Sequence, residues 1–212
     1  FPTQRSASAE RERLVTYGME LGVKFLITPP MDEYGKSRTA ERTMIREVKI
    51  EDLLGREEIQ INMEVIKQNF AGKVVMVTGA AGSIGSELCR QLASFGVKKL
   101  VMYDNAETPM HNLRLEFEER YPNLTFVPVI GDVRQPQRLD FAFRTHHPQV
   151  VFHAAAHKHV PLMEDSPNEA IKNNVLGTYK TATAAARAGV KKFVLISTDK
   201  AVNPTNIMGA SK

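Results

Sequence analysis

Three groups of residues in this 212-residue chain have types and spacings that can do chemistry. The first is Gly79-Ala80-Ala81-Gly82-Ser83-Ile84-Gly85, which follows the apolar run Val74 to Val77 and opens a segment of helical periodicity. Gly79 permits a tight turn, Gly82 lets backbone approach a pyrophosphate, and Gly85 lets the helix pack close to the strand. The helix start, with Ser83 and Ile84, then offers free N–H groups and a positive dipole end to phosphate. The second group is carboxylates. Asp104 follows Gly85 by 19 residues at the end of the next apolar run. There it can accept from an adenosine ribose and repel a 2′-phosphate, a preference for NAD over NADP, or it can simply cap the next helix. Asp132, in Gly131-Asp132-Val133, is either an adenine contact or a turn residue. The third group is Ser197-Thr198-Asp199-Lys200, which sets a carboxylate beside an amine. Such a pair is either a solvated surface pair or an acid–base pair. Its place after a parallel strand, where these sheets bind ligands, favours the acid–base reading. His153, His157 and His159 run from a strand into a loop with no completing cysteine or carboxylate cluster, so no metal site is expected.

These residues need a frame to hold them. From Lys73 onward, apolar runs of strand length alternate with helical segments: Val74 to Val77, Lys99 to Tyr103, Thr125 to Ile130, Val150 to His153 and Phe193 to Ile196. Between them, Ile84, Leu88 and Leu92 recur every four residues, Met110, Leu113 and Phe117 share a face, and Ile171, Val175, Thr178, Ala182 and Ala185 suggest a long helix. Strand–helix alternation of this kind implies an α/β fold, a Rossmann-type parallel sheet with helices on both faces. The expected organisation is the tail of an upstream α/β domain over 1–48, a connector over 49–72, and a dinucleotide-binding domain over 73–212. Within the first part, Arg11 to Leu21 reads as a short helix and Val23 to Ile27 as a strand stopped by Pro29-Pro30. The chain lacks an initiator Met and stops where a helix should be running, so a fragment cut at both ends is expected.

Composition narrows the function classes. A formal charge of +4 with no Lys/Arg run interleaved with aromatics gives nucleic-acid binding little support. Weak attraction to anionic ligands or an anionic membrane face stays open. The single cysteine, Cys89, forbids an internal disulfide and suits a reducing compartment; it reads as a packing residue on the first helix. No apolar stretch reaches the length of a membrane-spanning helix.

With Gly79-x-x-Gly82-x-x-Gly85, Asp132-Val133, His153-Ala154-Ala155-Ala156 and Asn174-Val175-Leu176-Gly177-Thr178 in place, the chain resembles the extended short-chain dehydrogenase/reductase family. Three further segments narrow this: Lys158 to Glu164, Ser197 to Ala201, and Asn206 to Lys212. On these it is most similar to the bacterial nucleotide-sugar 4,6-dehydratases of polysaccharide biosynthesis, of the long, membrane-anchored type. The residues of Val48 to Arg56 are similar to the region that precedes this domain in those relatives.

The resemblance implies NAD or NADP as cofactor, with contacts from Asp132, Val133, Ala154, Ala155, Asn174 and Lys212. Most of the superfamily sets Tyr and Lys four residues apart; here the Lys is Lys212, but the Tyr place holds Met208, whose thioether has no exchangeable proton. The group that replaces that Tyr as base is left open. The implied reaction removes hydride from C4 of a UDP-N-acetylglucosamine-like sugar. Lys200 then takes the C5 proton, Asp199 protonates the leaving C6 hydroxyl, and hydride returns to C6. Thr198 would bond the 4-oxygen. Asp199 protonated and Lys200 neutral both require shifted pKa values. Lys158 and Glu164 either line the sugar pocket or are surface charges. Homo-oligomers through helices near Ile171 to Ala186, and anchoring at the cytoplasmic side of the inner membrane, follow by the same analogy. A sugar-binding subdomain would lie beyond Lys212, so the fragment alone is expected to bind cofactor poorly and to be inactive. The alternatives are a nucleotide-sugar 4-epimerase and a non-catalytic dinucleotide-binding protein. Met208 and the Asp199-Lys200 pair argue against the epimerase.

Overall fold

The structure, a computed structural model, describes Tyr17, Leu26–Ile27, Arg46–Glu47 and residues 63–212. The chain divides into two compact units, residues 1–61 and 62–212. In the first, Tyr17 is helical, and the two-residue strands β1 (Leu26–Ile27) and β2 (Arg46–Glu47) pair antiparallel. The rest of the helix expected over 11–21, and Val23 to Phe25 of the expected strand, lie outside the described residues.

The second unit opens with α1 (Met63–Phe70), within the stretch read from sequence as a connector. It continues with β3 (Val74–Thr78), α2 (Ser83–Ser94), β4 (Lys99–Asp104), α3 (Glu107–Arg120), β5 (Phe126–Ile130) and α4 (Pro136–His146). Next come β6 (Val150–His153), α5 (Val160–Asp165) and α6 (Pro167–Ala170), which runs through a π-helical stretch, Ile171–Gly177, into α7 (Thr178–Arg187). β7 (Lys192–Leu195), a 3₁₀ turn (Asp199–Ala201) and α8 (Ile207–Ala210) complete it. Strands β5 and β7 fall within one residue of their expected limits.

All five long strands are parallel, in the order β5-β4-β3-β6-β7. The order reverses between β3 and β6, which opens a crevice outside their carboxyl ends. Alternation along the strands divides the core into two layers. Val75, Val77, Leu100 and Met102 face Cys89 and Leu92 of α2 and Met110, Leu113 and Phe117 of α3, with Ile66 and Phe70 of α1 packed on the same layer. Met76, Val101 and Val151 face Leu139 and Phe143 of α4 and Ala184 and Ala185 of α7. Truncating the buried Phe117 to Ala would cost about 3–5 kcal/mol through lost contacts and a cavity. Pro128 is tolerated because β5 is an edge strand, where one side of the backbone needs no ladder donor.

Two expected helix faces differ from the structure. On α2 the buried stripe is Gly85, Cys89 and Leu92, while Ile84 in the first turn is exposed. On the long helix, Ile171 and Val175 are 46% and 41% exposed, and Asn173, Asn174, Gly177 and Thr181 are buried instead. The cause is the π-helical stretch, whose wider turns break the 3.6-residue periodicity on which the sequence reading depended.

Candidate active site

The residues singled out by sequence gather at the carboxyl ends of the parallel strands. After β3 the chain turns at Gly79, with φ +70°, so close to the loop after β6 that a Cβ would lie 2.5 Å from the Ala155 nitrogen. A Cβ on Gly85 would overlap the Gly79 carbonyl oxygen, which is why α2 can start directly beneath the turn. No side chain caps α2 at Gly82, so its first-turn N–H groups keep their capacity for an acceptor.

A cavity of about 330 Å³ lies over this turn, lined among others by Gly79, Gly82, Asp104, Val133, Ala155 and Asn173. Asp104 accepts from the N–H groups of Ala81 and Ala106, each at 2.9 Å, and thereby ties the glycine turn to the start of α3. It caps locally and faces the cavity at once, since each carboxylate oxygen can accept more than one hydrogen bond. Val133 is buried in the wall, and its backbone N–H has no hydrogen-bond partner among the described residues. Buried N–H groups without partners are rare, so this one marks a place for a ligand acceptor. Asn173 was not singled out by sequence. It is 6% exposed, lines the cavity, and donates to Asn174 while its own Oδ1 has no partner among the described residues. A polar residue in an apparently amphipathic helix gave no signal beyond its neighbour Asn174.

Most of the other named residues frame the cavity without lining it. Asn174 accepts from the His157 N–H at 2.8 Å and donates to the His157 carbonyl and the Ser211 hydroxyl, both at 2.9 Å. With Asn173 also donating to its Oδ1, its hydrogen-bonding capacity is filled, and it clamps the loop after β6 to α8. Lys158 donates to the Ser83 hydroxyl at 3.1 Å, which brings its ammonium to the start of α2. Glu164 accepts from the Ile207 N–H at 2.7 Å and so caps α8. The Asp132 carboxylate is held by Arg134 and kept below the usual carboxylate range by that guanidinium. Ala154 lines the cavity beside Ala155.

Beneath the site His153 is fully buried, its Nδ1 2.6 Å from the Thr78 hydroxyl and its Nε2 2.9 Å from that of Thr178. Burial, with the nearby Lys212 charge, pushes the imidazole down to about 4, so the ring is neutral. One threonine therefore donates to it and the other accepts. Lys212 donates to the Ile196 carbonyl at 2.9 Å and is shifted down by desolvation. Met208 is buried against Met163 and Ala170, a packing residue beneath α5 and α6. Among the described residues no group of three His, Cys, Asp or Glu converges as a metal site would require.

The turn after β7 carries Thr198, Asp199 and Lys200 outside the cavity wall. The Thr198 hydroxyl donates to Asp199 Oδ1 at 2.9 Å, and Lys200 Nζ lies 3.7 Å from the same oxygen. The Asp199 side chain is 89% exposed. The Thr198 hydroxyl, then the Lys200 charge, lower its pKa below the ordinary value. This is the reverse of the shift that a proton-donating Asp199 needs. A Cβ on Gly209 would overlap the Lys200 carbonyl oxygen, so that glycine lets α8 press against the turn.

This strand order and glycine turn define a Rossmann domain of the extended short-chain dehydrogenase/reductase kind. The family described as "Polysaccharide biosynthesis protein" matches residues 75–212, and the chain belongs to it. The chain is 44% identical over 192 residues to the capsular polysaccharide biosynthesis protein CapD of Staphylococcus aureus, covering 90% of this chain and 32% of that protein. It is 38% identical over 144 residues to a UDP-N-acetylglucosamine 4,6-dehydratase (inverting) of Campylobacter jejuni, covering 68% of this chain and 41% of the enzyme. It is also 40% identical over 147 residues to a UDP-glucose 4-epimerase of Rickettsia rickettsii, with 68% and 41% covered. Among solved structures, WbmG of Bordetella bronchiseptica in complex with NAD and UDP superposes with TM-score 0.56 at 26% identity, covering 67% of this chain and 47% of that one. The chain thus spans about a third of the length of CapD.

Proposed function

We propose that the protein is an NAD-dependent 4,6-dehydratase acting on a UDP-N-acetylglucosamine-like nucleotide sugar in surface polysaccharide synthesis. The observation that carries this reading is the pairing of a dinucleotide cavity with an Asp199-Lys200 turn at the same sheet end, while Met208 is packed away in the core. Hydride chemistry without a tyrosine, beside an acid–base pair, suits elimination of water better than epimerisation.

The residues present fit the cofactor. The close approach at Gly79 and the uncapped start of α2 suit a pyrophosphate, with Lys158 near enough to Ser83 to add a positive charge. Asp104 suits the ribose hydroxyls of NAD, and the unpartnered Val133 N–H and Asn173 Oδ1 suit polar edges of the ligand. When bound, the nicotinamide supplies hydride acceptance and return. Everything else falls to the chain, including a base, in place of the tyrosine, for the proton that the 4-hydroxyl gives up as hydride leaves C4. Lys212 holds the ribose, and Thr198 bonds the sugar 4-oxygen. Lys200 removes the C5 proton, and Asp199 delivers a proton to the departing C6 hydroxyl.

Asp199 is ionised while exposed, so it must acquire that proton as the sugar covers the turn and expels water, which favours the neutral carboxyl. Anchoring at the cytoplasmic face of the inner membrane belongs to the same proposal. Among the described residues no helix is long and apolar enough to cross a membrane. The test is incubation of the full-length protein with UDP-N-acetylglucosamine, following the sugar nucleotide by mass spectrometry. Loss of one water, abolished in Asp199→Asn and Lys200→Ala, is the expected result. Exchange at C4 without loss of mass would sink the dehydratase in favour of an epimerase.

A further inference from the structure

The loop after β5 forms one wall of the cavity, and besides the Tyr103 hydroxyl, which donates to the Asp132 carbonyl at 3.0 Å, it is held by an ion-pair cluster that does not line the cavity. Arg134 binds the Asp132 carboxylate through Nε at 2.9 Å and Nη2 at 2.7 Å, while its backbone N–H donates to the same carboxylate at 2.8 Å. Its remaining arm, Nη1, reaches Glu169 on α6 at 3.0 Å, and its carbonyl accepts from Lys180 on α7 at 2.8 Å. One residue therefore joins the loop to both halves of the long helix. Between these ties Val133 is pressed against the helix, where a Cβ on Gly177 would lie 2.9 Å from Val133 Cγ2. The unpartnered Val133 N–H is thereby fixed in the wall. The Asp132 side chain is only 15% exposed and does not line the cavity.

We propose that Arg134 is a positioning residue for the adenosine half of the cofactor. Its guanidinium braces the Asp132 carboxylate and ties it to Glu169, so that Val133 presents its N–H at a fixed place. This rests on the dinucleotide reading above. The geometry requires a planar, forked donor, which an ammonium cannot imitate.

The test is calorimetric titration of ADP and, separately, nicotinamide mononucleotide into the full-length protein and its Arg134→Met, Arg134→Lys and Glu169→Gln variants. Thermal melting checks that each variant folds. Hydrogen exchange of the segment holding Val133 reports on the loop directly. The expected result is an ADP affinity lower by about tenfold in Arg134→Met, the scale of one misplaced hydrogen bond. Arg134→Lys should be about as weak, Glu169→Gln intermediate, mononucleotide binding unchanged and exchange at Val133 faster. Full rescue by Lys would mean that only the positive charge matters, and would overturn the positioning role. So would equal loss of both ligands, or unchanged ADP binding. Should Arg134→Met fail to fold, Glu169→Gln decides: unchanged ADP affinity and unchanged exchange at Val133 would overturn the role. Wild-type protein that binds neither ADP nor NAD would remove the dinucleotide reading itself, an outcome separable from the others because it precedes any substitution.

Discussion

The buried imidazole of His153 makes the stability of this domain depend on pH in a window where few other side chains titrate. In the fold its pKa is near 4, against 6.5 for an exposed histidine, because burial penalises the charged ring and Lys212 repels it. Between these values the unfolded chain binds a proton that the folded chain refuses. Stability is therefore complete above the higher value and is lost as pH falls through the window. Integrating the linkage relation from about pH 7.5 to about pH 5 gives a loss of about 2 kcal/mol, a large share of a typical domain's stability. The carboxylates of Glu116 and Asp132, held down by Arg90 and Arg134, contribute mainly at lower pH. His146, also shifted down by burial, adds a slope of the same sign. The assay is urea unfolding at constant ionic strength across this range for wild type and His153→Asn. The variant loses one threonine contact and starts less stable, yet its stability should fall by about 2 kcal/mol less on acidification. Slopes that agree within about 0.5 kcal/mol would refute the assignment of a neutral, proton-refusing His153.

Three further expectations concern the same frame. Gly79→Ala meets a left-handed backbone and the overlap with Ala155 together, and should cost about 2–5 kcal/mol in urea unfolding along with loss of ADP binding. Asn174→Ala leaves the His157 N–H and carbonyl without their partner and removes the donor to the Ser211 hydroxyl, so the melting temperature should drop by an amount equivalent to about 2–3 kcal/mol. Cys89 is fully buried and its thiol is pushed up by desolvation, so an aromatic disulfide reagent should label it only on unfolding; prompt labelling in native buffer would contradict its packing.

The sheet was legible because strands covered on both faces must be mainly apolar, and Val74 to Val77, Lys99 to Tyr103 and Val150 to His153 have that character. The glycine turn was legible because its spacing follows directly from backbone geometry. Long-range pairings were not. Lys158 meets Ser83 across 75 residues and Glu164 caps Ile207 across 43, and neither contact leaves a trace in local pattern. Met208 could be seen to lack a proton, but its burial against Met163 depends on how α5, α6 and α8 assemble. The ionised state of Asp199 likewise follows from its exposure and from the Thr198 hydroxyl, which spacing alone does not reveal.

The π-helical stretch Ile171–Gly177 sets stability and aim against each other. In a regular helix each residue advances about 100° around the axis, so removing one residue would swing everything on one side of the cut by that angle. The helix left behind would have better hydrogen-bond geometry, and Ile171 and Val175 could rejoin a continuous apolar stripe. Asn173 and Asn174 would then be turned away, one from the cavity and the other from the His157 loop and Ser211. Screening this protein for thermal tolerance alone would therefore tend to select helices that hold better and a pocket that has lost its wall.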